Sequence, residues 1–600
     1  MLYLFKRKPV LSLEKLALLS FQRYLTDHCW VVSNMYSGTE FEQVVKREEV
    51  LWLHIQELRE HIFSHVSIYV QEDVVQMIIS AVNEAAEDKR KQYTMNTEIG
   101  RYKTELYCIV TMVDLIVSPQ IRRLELPNIP KVLRTHLISR LRSFTGLHFL
   151  EILLLGFGKD SRMVDSAEIV APSNIIDALR SMSSLTHLIL PTFCTNNLLA
   201  CIARSQSKKT LRRLEINHSE SVGDSGAVHI TKFENLELLG ITETNVGLAT
   251  LAIAIFGLPK LKNLPMGDFL CDVLEFVEME DTQVWRRGDP CPRLKIQEFC
   301  CSEIYHFHST KQMTRVSNMC PYIREVSFFY DGEELCELNT LSLLPKLVQL
   351  KLNGGDVSKD PIREFFEMIG PRLERLELNH IENIDKQFIV QLSVWCPNLQ
   401  YLSFSACSFL DYASLHRELF EYANSEGLDT IEQIELGNLL RDQENVAYQI
   451  EDMIQPFSNL VELNISSSCS RVILVFILLC CQKITRLNLG TYTDLTDDVM
   501  QQIISVNPLT RLEFLHVHSS KYLTKYSLDL ILTSCTSLRE IKGLPYWSCV
   551  GEDERNQLVL WIKKNNVDLS IPEIISADQS SFFNTRVELT ESIRKFLSTQ

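Results

Sequence analysis

Six hundred residues with 46% apolar side chains are enough to bury a large core. A formal charge of −16 excludes a general affinity for nucleic acid, whose phosphates need a basic surface. Seventeen cysteines, an odd number in so long a chain, exclude a small disulfide-stapled scaffold and fit free thiols in a reducing cytoplasmic or nuclear compartment.

Residues 1–118 have helical spacing and read as an N-terminal α-helical domain. Lys6, Arg7 and Lys8 are followed by Glu14 and Lys15 inside the next apolar stretch, which is not the pattern of a secretory leader. Ser12 can N-cap an amphipathic helix whose Leu13, Leu16, Phe21 and Leu25 pack on the rest of this domain. Phe41, Val44, Leu51, Trp52, Ile55 and Leu58 form a further stripe, and Val74 to Ala86 and Leu106 to Ile116 look similar. The charged run Glu87 to Gln92 is expected to be an exposed helix end or a loop.

From 119 to 547 a frame Leu-x-x-Leu-x-Leu recurs about sixteen times, at intervals of 24 to 35 residues. Its copies include Ile121-Leu124-Leu126, Leu150-Leu153-Leu155, Leu185-Leu188-Leu190, Leu347-Leu350-Leu352, Leu399-Leu402-Phe404, Ile431-Ile434-Leu436 and Leu512-Leu515-Val517, with a weak copy near Leu294 and Phe299. Each frame is a short strand, followed by a turn and a helix such as Thr135–Phe144, Ile362–Ile369 or Thr496–Ser505. Such self-similarity predicts an α/β leucine-rich-repeat solenoid, with parallel strands on a concave face and helices on a convex one. One continuous strand ladder should bury Leu188, Leu214, Leu239, Leu350, Leu376, Leu402, Leu463 and Leu487. The apolar run Val472 to Cys481 is too short for a membrane span, which needs about 20 residues; it reads as the buried helix of one repeat. Residues 548–600 read as a C-terminal cap and tail, with a helix over Arg555 to Lys564.

Positions three and five of each frame alternate away from the core and should face the concave side. Ile152, Leu154, Ile189 and Leu238 would make an apolar patch there. Arg375, Tyr401, Arg486, Phe514 and His516 would make a candidate partner-binding set, because aromatic and Arg side chains dominate protein interfaces. Arg486, with Asn488 rather than an acid two residues on, is the better candidate to meet a carboxylate.

Several repeats carry a more specific pattern. Trp395-Cys396-Pro397-Asn398-Leu399 through Cys407, Cys320-Pro321, Cys291-Pro292 and Leu495-Thr496-Asp497-Asp498 resemble the cysteine-containing subclass of leucine-rich repeats, with Thr496 a helix N-cap. That subclass is familiar from F-box proteins with leucine-rich repeats, which are substrate receptors of cullin-based ubiquitin ligases. Leu126-Pro127 is the phrase closest to an F-box opening, but Leu126 belongs to the first repeat strand. Ser12-Leu13, Ala17 and Phe21 resemble instead an elongin-binding BC-box, with Ala17 where Cys is usual. Ile129-Pro130-x-x-Leu133-x-x-x-Leu137 is similar to the companion cullin-selecting box, farther downstream than usual. By layout the nearest relatives are Zyg-11-type receptors. The resemblance implies a non-catalytic substrate receptor of a cullin–RING ubiquitin ligase, with elongin B/C or another adaptor and a protein substrate as partners. The alternatives are a structural role for the Ser12 helix, and a leucine-rich-repeat interaction scaffold with no ligase link.

Other motifs carry less. Gly223-Asp224-Ser225-Gly226 copies the phrase around a trypsin-like nucleophile, but no base and acid follow in the matching order. Cys300, Cys301, His306 and His308 lack the paired spacing of a zinc site. No phosphate-binding glycine loop is present. No catalytic residue, metal or cofactor is expected.

Overall fold

In the computed structural model the described residues are 13–35, 48–65, 70–93, 99–126, 131–152, 172–192, 194–265, 267–279, 292–300, 310–330, 338–410, 457–467, 469, 471–490, 495–518, 520–565 and 567–571. They divide into two compact units. The first runs from residue 13 to 300 with 311–323, and the second comprises 310 and 324 to 571.

The first unit opens with four helices, α1 (Leu13–Met35), α2 (Glu48–His65), α3 (Gln71–Tyr93) and α4 (Ile99–Thr111). Helices α1, α3 and α4 pack on one another. Their buried stripes follow helical spacing: Leu25, Cys29 and Val32 on α1, and Val75, Ile78, Val82 and Ala85 on α3. Glu72 and Asp73 in the first turn of α3 complement its dipole. The charged run Glu87 to Gln92 is neither a loop nor fully exposed; it is the last two turns of α3. Lys89 turns inward, where its Nζ lies 2.9 Å from Glu105 of α4 and 4.4 Å from the centre of the Trp30 ring on α1. The two charged side chains are only 5% and 1% exposed. Amphipathic spacing missed this because a lysine can enter a core once a carboxylate and an aromatic face await it.

A 3-10 turn, Met112–Ile116, leads to the repeats. Asp114 within it is buried and takes His136 Nε2 at 2.8 Å and Arg140 at 3.2 Å, both from the first repeat helix, Lys131–Arg140. Five strands follow, β1 (Arg123–Leu126), β2 (Phe149–Ile152), β3 (His187–Ile189), β4 (Arg213–Glu215) and β5 (Leu238–Gly240), parallel and in chain order. Leu124, Leu150, Leu188, Leu214 and Leu239 stand in one register and are 0% exposed. Sequential parallel pairing through a helix-bearing connection is the right-handed crossover that a twisted sheet favours. A short strand β6 (Glu298–Cys300), with Ile296 and Phe299 buried, is the weak repeat expected near Leu294.

The second unit carries β7 (Glu325–Phe329), β8 (Gln349–Asn353), β9 (Arg375–Asn379), β10 (Tyr401–Ser405), β11 (Glu462–Ile465), β12 (Arg486–Leu489), β13 (Phe514–Val517), β14 (Ser520–Thr524), β15 (Glu540–Lys542) and β16 (Trp547–Cys549). All but β14 and β16, which pair with each other, form a parallel succession in chain order. Val326, Leu350, Leu376, Leu402, Leu463, Leu487, Leu515 and Ile541 make its ladder, none more than 3% exposed.

Several helices start where a side-chain cap precedes an apolar face. Thr496 accepts the N–H of Val499 as expected, and Thr195 and Asp385 cap their own helices in the same way. The turn after β8, β9 and β10 repeats too: Gly354, His380 and Ala406 all take a left-handed backbone there. Asparagines tie repeats together, Asn398 donating to the Pro371 carbonyl and Asn459 to that of Pro397. None of the described cysteines is in a disulfide, and all but Cys300 and Cys549 are buried, including Cys320, Cys396, Cys407 and Cys535. The apolar run after Val472 is the buried helix Arg471–Cys480, and no described helix is long and apolar enough to cross a membrane.

Three frame expectations are corrected. The leucine ladder comes as two sheets rather than one. Leu261-Leu264-Met266 makes no strand: Asn263 meets Leu238 only in an isolated bridge, and Pro265 has no N–H to extend it. Tyr401 pairs directly with Glu462, and the frame at Ile431 lies outside the described residues. In the second repeat it is Leu150, not Leu153, that pairs with Leu124, so the frame there is Leu147-Leu150-Ile152.

Candidate protein-recognition surface

That shift of register changes the side of the sheet that faces solvent. Ile152 belongs to the core at 0% exposure, Ile189 is buried, and Leu238 is half-buried. The apolar patch expected from Ile152, Leu154, Ile189 and Leu238 therefore does not form, and Leu154 lies outside the described residues. In its place a row runs Arg123, Phe149, His187, Arg213, with Glu125, Glu151 and Glu215 two residues on in β1, β2 and β4. Arg123 lies 4.1 Å over the Phe149 ring and Phe149 packs 5.5 Å from His187. Arg123 and Arg213 each bond the glutamate of their own strand. Glu151 has no such arginine. Burial first, then Glu125 and Glu215, holds its carboxyl above the usual range, against Arg213 and Arg123. Phe149 and Glu151 were missed because two overlapping frames fit the run Leu147 to Leu155; the choice of Leu147 was the available signal.

In the second unit the predicted set falls on one side of the sheet. The register row is Gln349, Arg375, Tyr401, Glu462, Arg486, Phe514, Glu540. The next row is Lys351, Glu377, Ser403, Asn464, Asn488, His516, Lys542. Arg375 lies 3.4 Å over the Tyr401 ring, and Arg486 lies 4.1 Å over the Phe514 ring. Each guanidinium thus rests on the aromatic of the following strand, which helps to hold it in place. The two pairs are separated by Glu462, one strand from each.

The two arginines differ in charge balance. Arg375 bonds Glu377 at 3.0 Å, and Lys351 approaches the same carboxylate at 3.8 Å. Arg486 is exposed, and among the described residues it makes no ion pair. His516 stands below Phe514, with His518 5.6 Å from it and Tyr546 stacked 6.4 Å from His518. Burial first, then His518 and Lys542, holds the His516 imidazole below its usual range, and Glu540 opposes this. His518 and Tyr546 were not among the predicted residues; His518 lies just past β13 and Tyr546 ends the 3-10 turn before β16, both outside the frame.

The adaptor-binding set is less visible. Ser12 lies outside the described residues, and Leu13 and Ala17 are described only as backbone of α1. Phe21 is half-buried. Beyond it α1 buries Leu25, Cys29 and Val32 and exposes Tyr24 and Val31.

The protease-like phrase is a packing turn. Gly223 donates its N–H to Asn196, Asp224 accepts from Gly247, and a Cβ on Gly226 would strike Asn196. Cys301, His306 and His308 lie outside the described residues, and Cys300 is half-buried beside Glu298. Burial pushes the thiols of Cys194, Cys396 and Cys535 up to about 12, so these are packing groups rather than nucleophiles.

No family model matches the chain, and no curated protein matches it. Among solved structures it is similar to an internalin from Listeria monocytogenes, at 12% identity and a TM-score of 0.32 over 67% of this chain and 89% of that one. A leucine-rich-repeat protein from Leptospira interrogans is similar at 12% and 0.32, over 66% and 92%. The Rad7–Elc1 complex of yeast is similar at 12% and 0.34, over 91% and 96%. At these values the likenesses say nothing about partners. The chain is a leucine-rich-repeat protein of α/β class on its own strand register and helices.

Proposed function

We propose that this protein is a non-catalytic recognition subunit that holds a protein partner on the solvent-facing side of its second-unit sheet. The observation that carries this reading is the pair of stacks, Arg375 on Tyr401 and Arg486 on Phe514, presented in one register row. Rigid aromatic–arginine sets of this kind supply binding energy at low entropic cost. Parallel strands offer repeated side-chain positions but no cleft closed around a reacting bond, which suits an extended partner segment.

The finer reading is a substrate receptor of a cullin–RING ubiquitin ligase, joined through elongin B and C at the start of α1. Its support is the resemblance of Ser12, Leu13, Ala17 and Phe21 to a BC-box, and the helix that begins at Leu13. The work done would be positioning: the array holds a substrate while other subunits transfer ubiquitin. The test is affinity purification of the full chain from cells, wild type beside Leu13→Asp/Phe21→Asp. The ligase reading expects elongins with the wild type and none with the variant, both proteins melting alike. A partner retained by both, with no adaptor in either, leaves a recognition scaffold and removes the ligase link.

A further inference from the structure

The cationic groups on the second-unit sheet are not spread evenly. At its β8–β9 end Arg375 and Lys351 are both drawn to Glu377. At its β12–β15 end Arg486, in register with Glu462 of β11, makes no ion pair among the described residues, and Asn488, His516 and Lys542 stand in one register row. Adjacent strands lie about 4.8 Å apart, so these side chains rise from neighbouring points on one surface. His518 extends the group along β13, its ring 5.6 Å from His516 and backed by Tyr546. Two carboxylates share the register, Glu462 beside Arg486 and Glu540 beside Phe514, and Glu540 lies 3.4 Å from Lys542.

We propose that Arg486, His516, His518 and Lys542 take the phosphate of a phosphothreonine or phosphoserine in an extended partner peptide. This rests on the reading that this face holds a protein partner, and it names the chemistry of the segment held. A lone carboxylate is satisfied by two parallel N–H bonds from one arginine. Four nitrogen-bearing donors across three strands exceed that need and match a group with three acceptor oxygens and nearly two negative charges. The Arg486 guanidinium is pre-placed by Phe514, so little is lost in ordering it. Gly543, left-handed and seated over the Val517 carbonyl, holds the turn that follows β15 and positions Lys542 and Tyr546.

The His516 imidazole gains from protonation against a phosphate, so the site is pH-dependent. The groups facing His516 are His518 just past β13, and Lys542 and Glu540 from β15, with the neutral Asn488 opposite on β12. Burial first, then His518 and Lys542, holds His516 below its usual range in the free protein. A bound phosphate reverses that balance, and binding should tighten as pH falls toward 6.

The experiment uses the immobilised full chain and three degenerate peptide libraries of equal length, centred on phosphothreonine, threonine or glutamate. The expected result is retention of the phosphothreonine library at least about ten-fold above the other two, the worth of charge-assisted hydrogen bonds. Arg486→Ala and His518→Ala should each lose that preference while melting like wild type, and Arg375→Ala should keep it. Equal retention of the phosphothreonine and glutamate libraries overturns the phosphate assignment in favour of a carboxylate site. Preference unchanged in both Arg486→Ala and His518→Ala also overturns it. If a partner purified with the full chain loses binding in Tyr401→Ala yet ignores phosphatase and His518→Ala, the phosphate site falls and the recognition reading stands. A partner indifferent to every one of these variants ends both.

Discussion

Arg375 and Tyr401, one register step apart on β9 and β10, stack with the guanidinium carbon 3.4 Å from the ring centre, and Arg486 and Phe514 repeat the arrangement on β12 and β13. The spacing of the repeat places an arginine and an aromatic at equivalent positions, and the parallel register brings them face to face. The same pair occurs in the first unit as Arg123 on Phe149. What distinguishes the three is the residue two places on: Glu125 and Glu377 neutralise their arginines, whereas Asn488 does not.

From this difference, Arg486→Ala should weaken partner binding by on the order of 2 kcal/mol or more, as for a hot-spot residue. Phe514→Ala should act alike, because it removes the platform. Asp498→Ala, exposed on a helix of the same unit, should leave affinity unchanged. Calorimetric titration of the purified partner against the three variants reads the outcome.

The strand ladder predicts a stability effect without a binding effect. Leu402 is fully buried in β10, and Leu402→Ala should cost about 2–5 kcal/mol in lost transfer energy and cavity formation. Chemical denaturation should show a lower midpoint, while a conservative Leu402→Met should lose much less.

The buried Lys89–Glu105 pair should behave non-additively. Removing one partner leaves an uncompensated charge in the core, so Lys89→Met or Glu105→Gln alone should cost about 3–5 kcal/mol. The double variant should recover most of that loss. A double-mutant cycle by denaturant unfolding measures the coupling directly; additive losses would contradict the pairing seen between α3 and α4.

Asp497 gives an acid-side prediction. Burial alone would raise its carboxyl, but the Ser527 and Thr524 hydroxyls, with the Thr524 N–H, bring it below its ordinary value of 3.8. A carboxyl lowered on folding contributes stability that is present above the unfolded value and is lost as pH falls through the folded one. Asp497→Asn should therefore be less stable than wild type at neutral pH. The gap should close below the ordinary aspartate range, which thermal melts across that window would show.

Gly543 should resist substitution. Its left-handed backbone disfavours any side chain, and a Cβ would collide with the Val517 carbonyl oxygen. Gly543→Ala should destabilise the β13–β15 edge and, because Lys542 precedes it, weaken partner binding beyond the effect of Lys542→Ala alone. Paired melting and binding measurements on the two variants test this.

The repeat architecture was legible in the sequence because its cause is local. Leucines at fixed places in a short strand must all be buried, so Leu188, Leu214, Leu350, Leu376 and Leu402 announce themselves by spacing alone. The Thr496 cap and the helix of Val472 were readable for the same reason. Tertiary structure decided what spacing leaves degenerate. In the second repeat two overlapping leucine frames fit equally well, and only pairing of Leu150 with Leu124 turns Phe149 and Glu151 outward and Ile152 inward. A slip in frame exchanges one face of a strand for the other, and the sequence holds no local cost for it. Lys89 looked solvated until Glu105 and Trp30, distant in the chain, were brought to it. The electrostatic contrast between Arg375 and Arg486, and the arrival of His518 and Tyr546 beside His516, likewise depend on which strands and turns become neighbours.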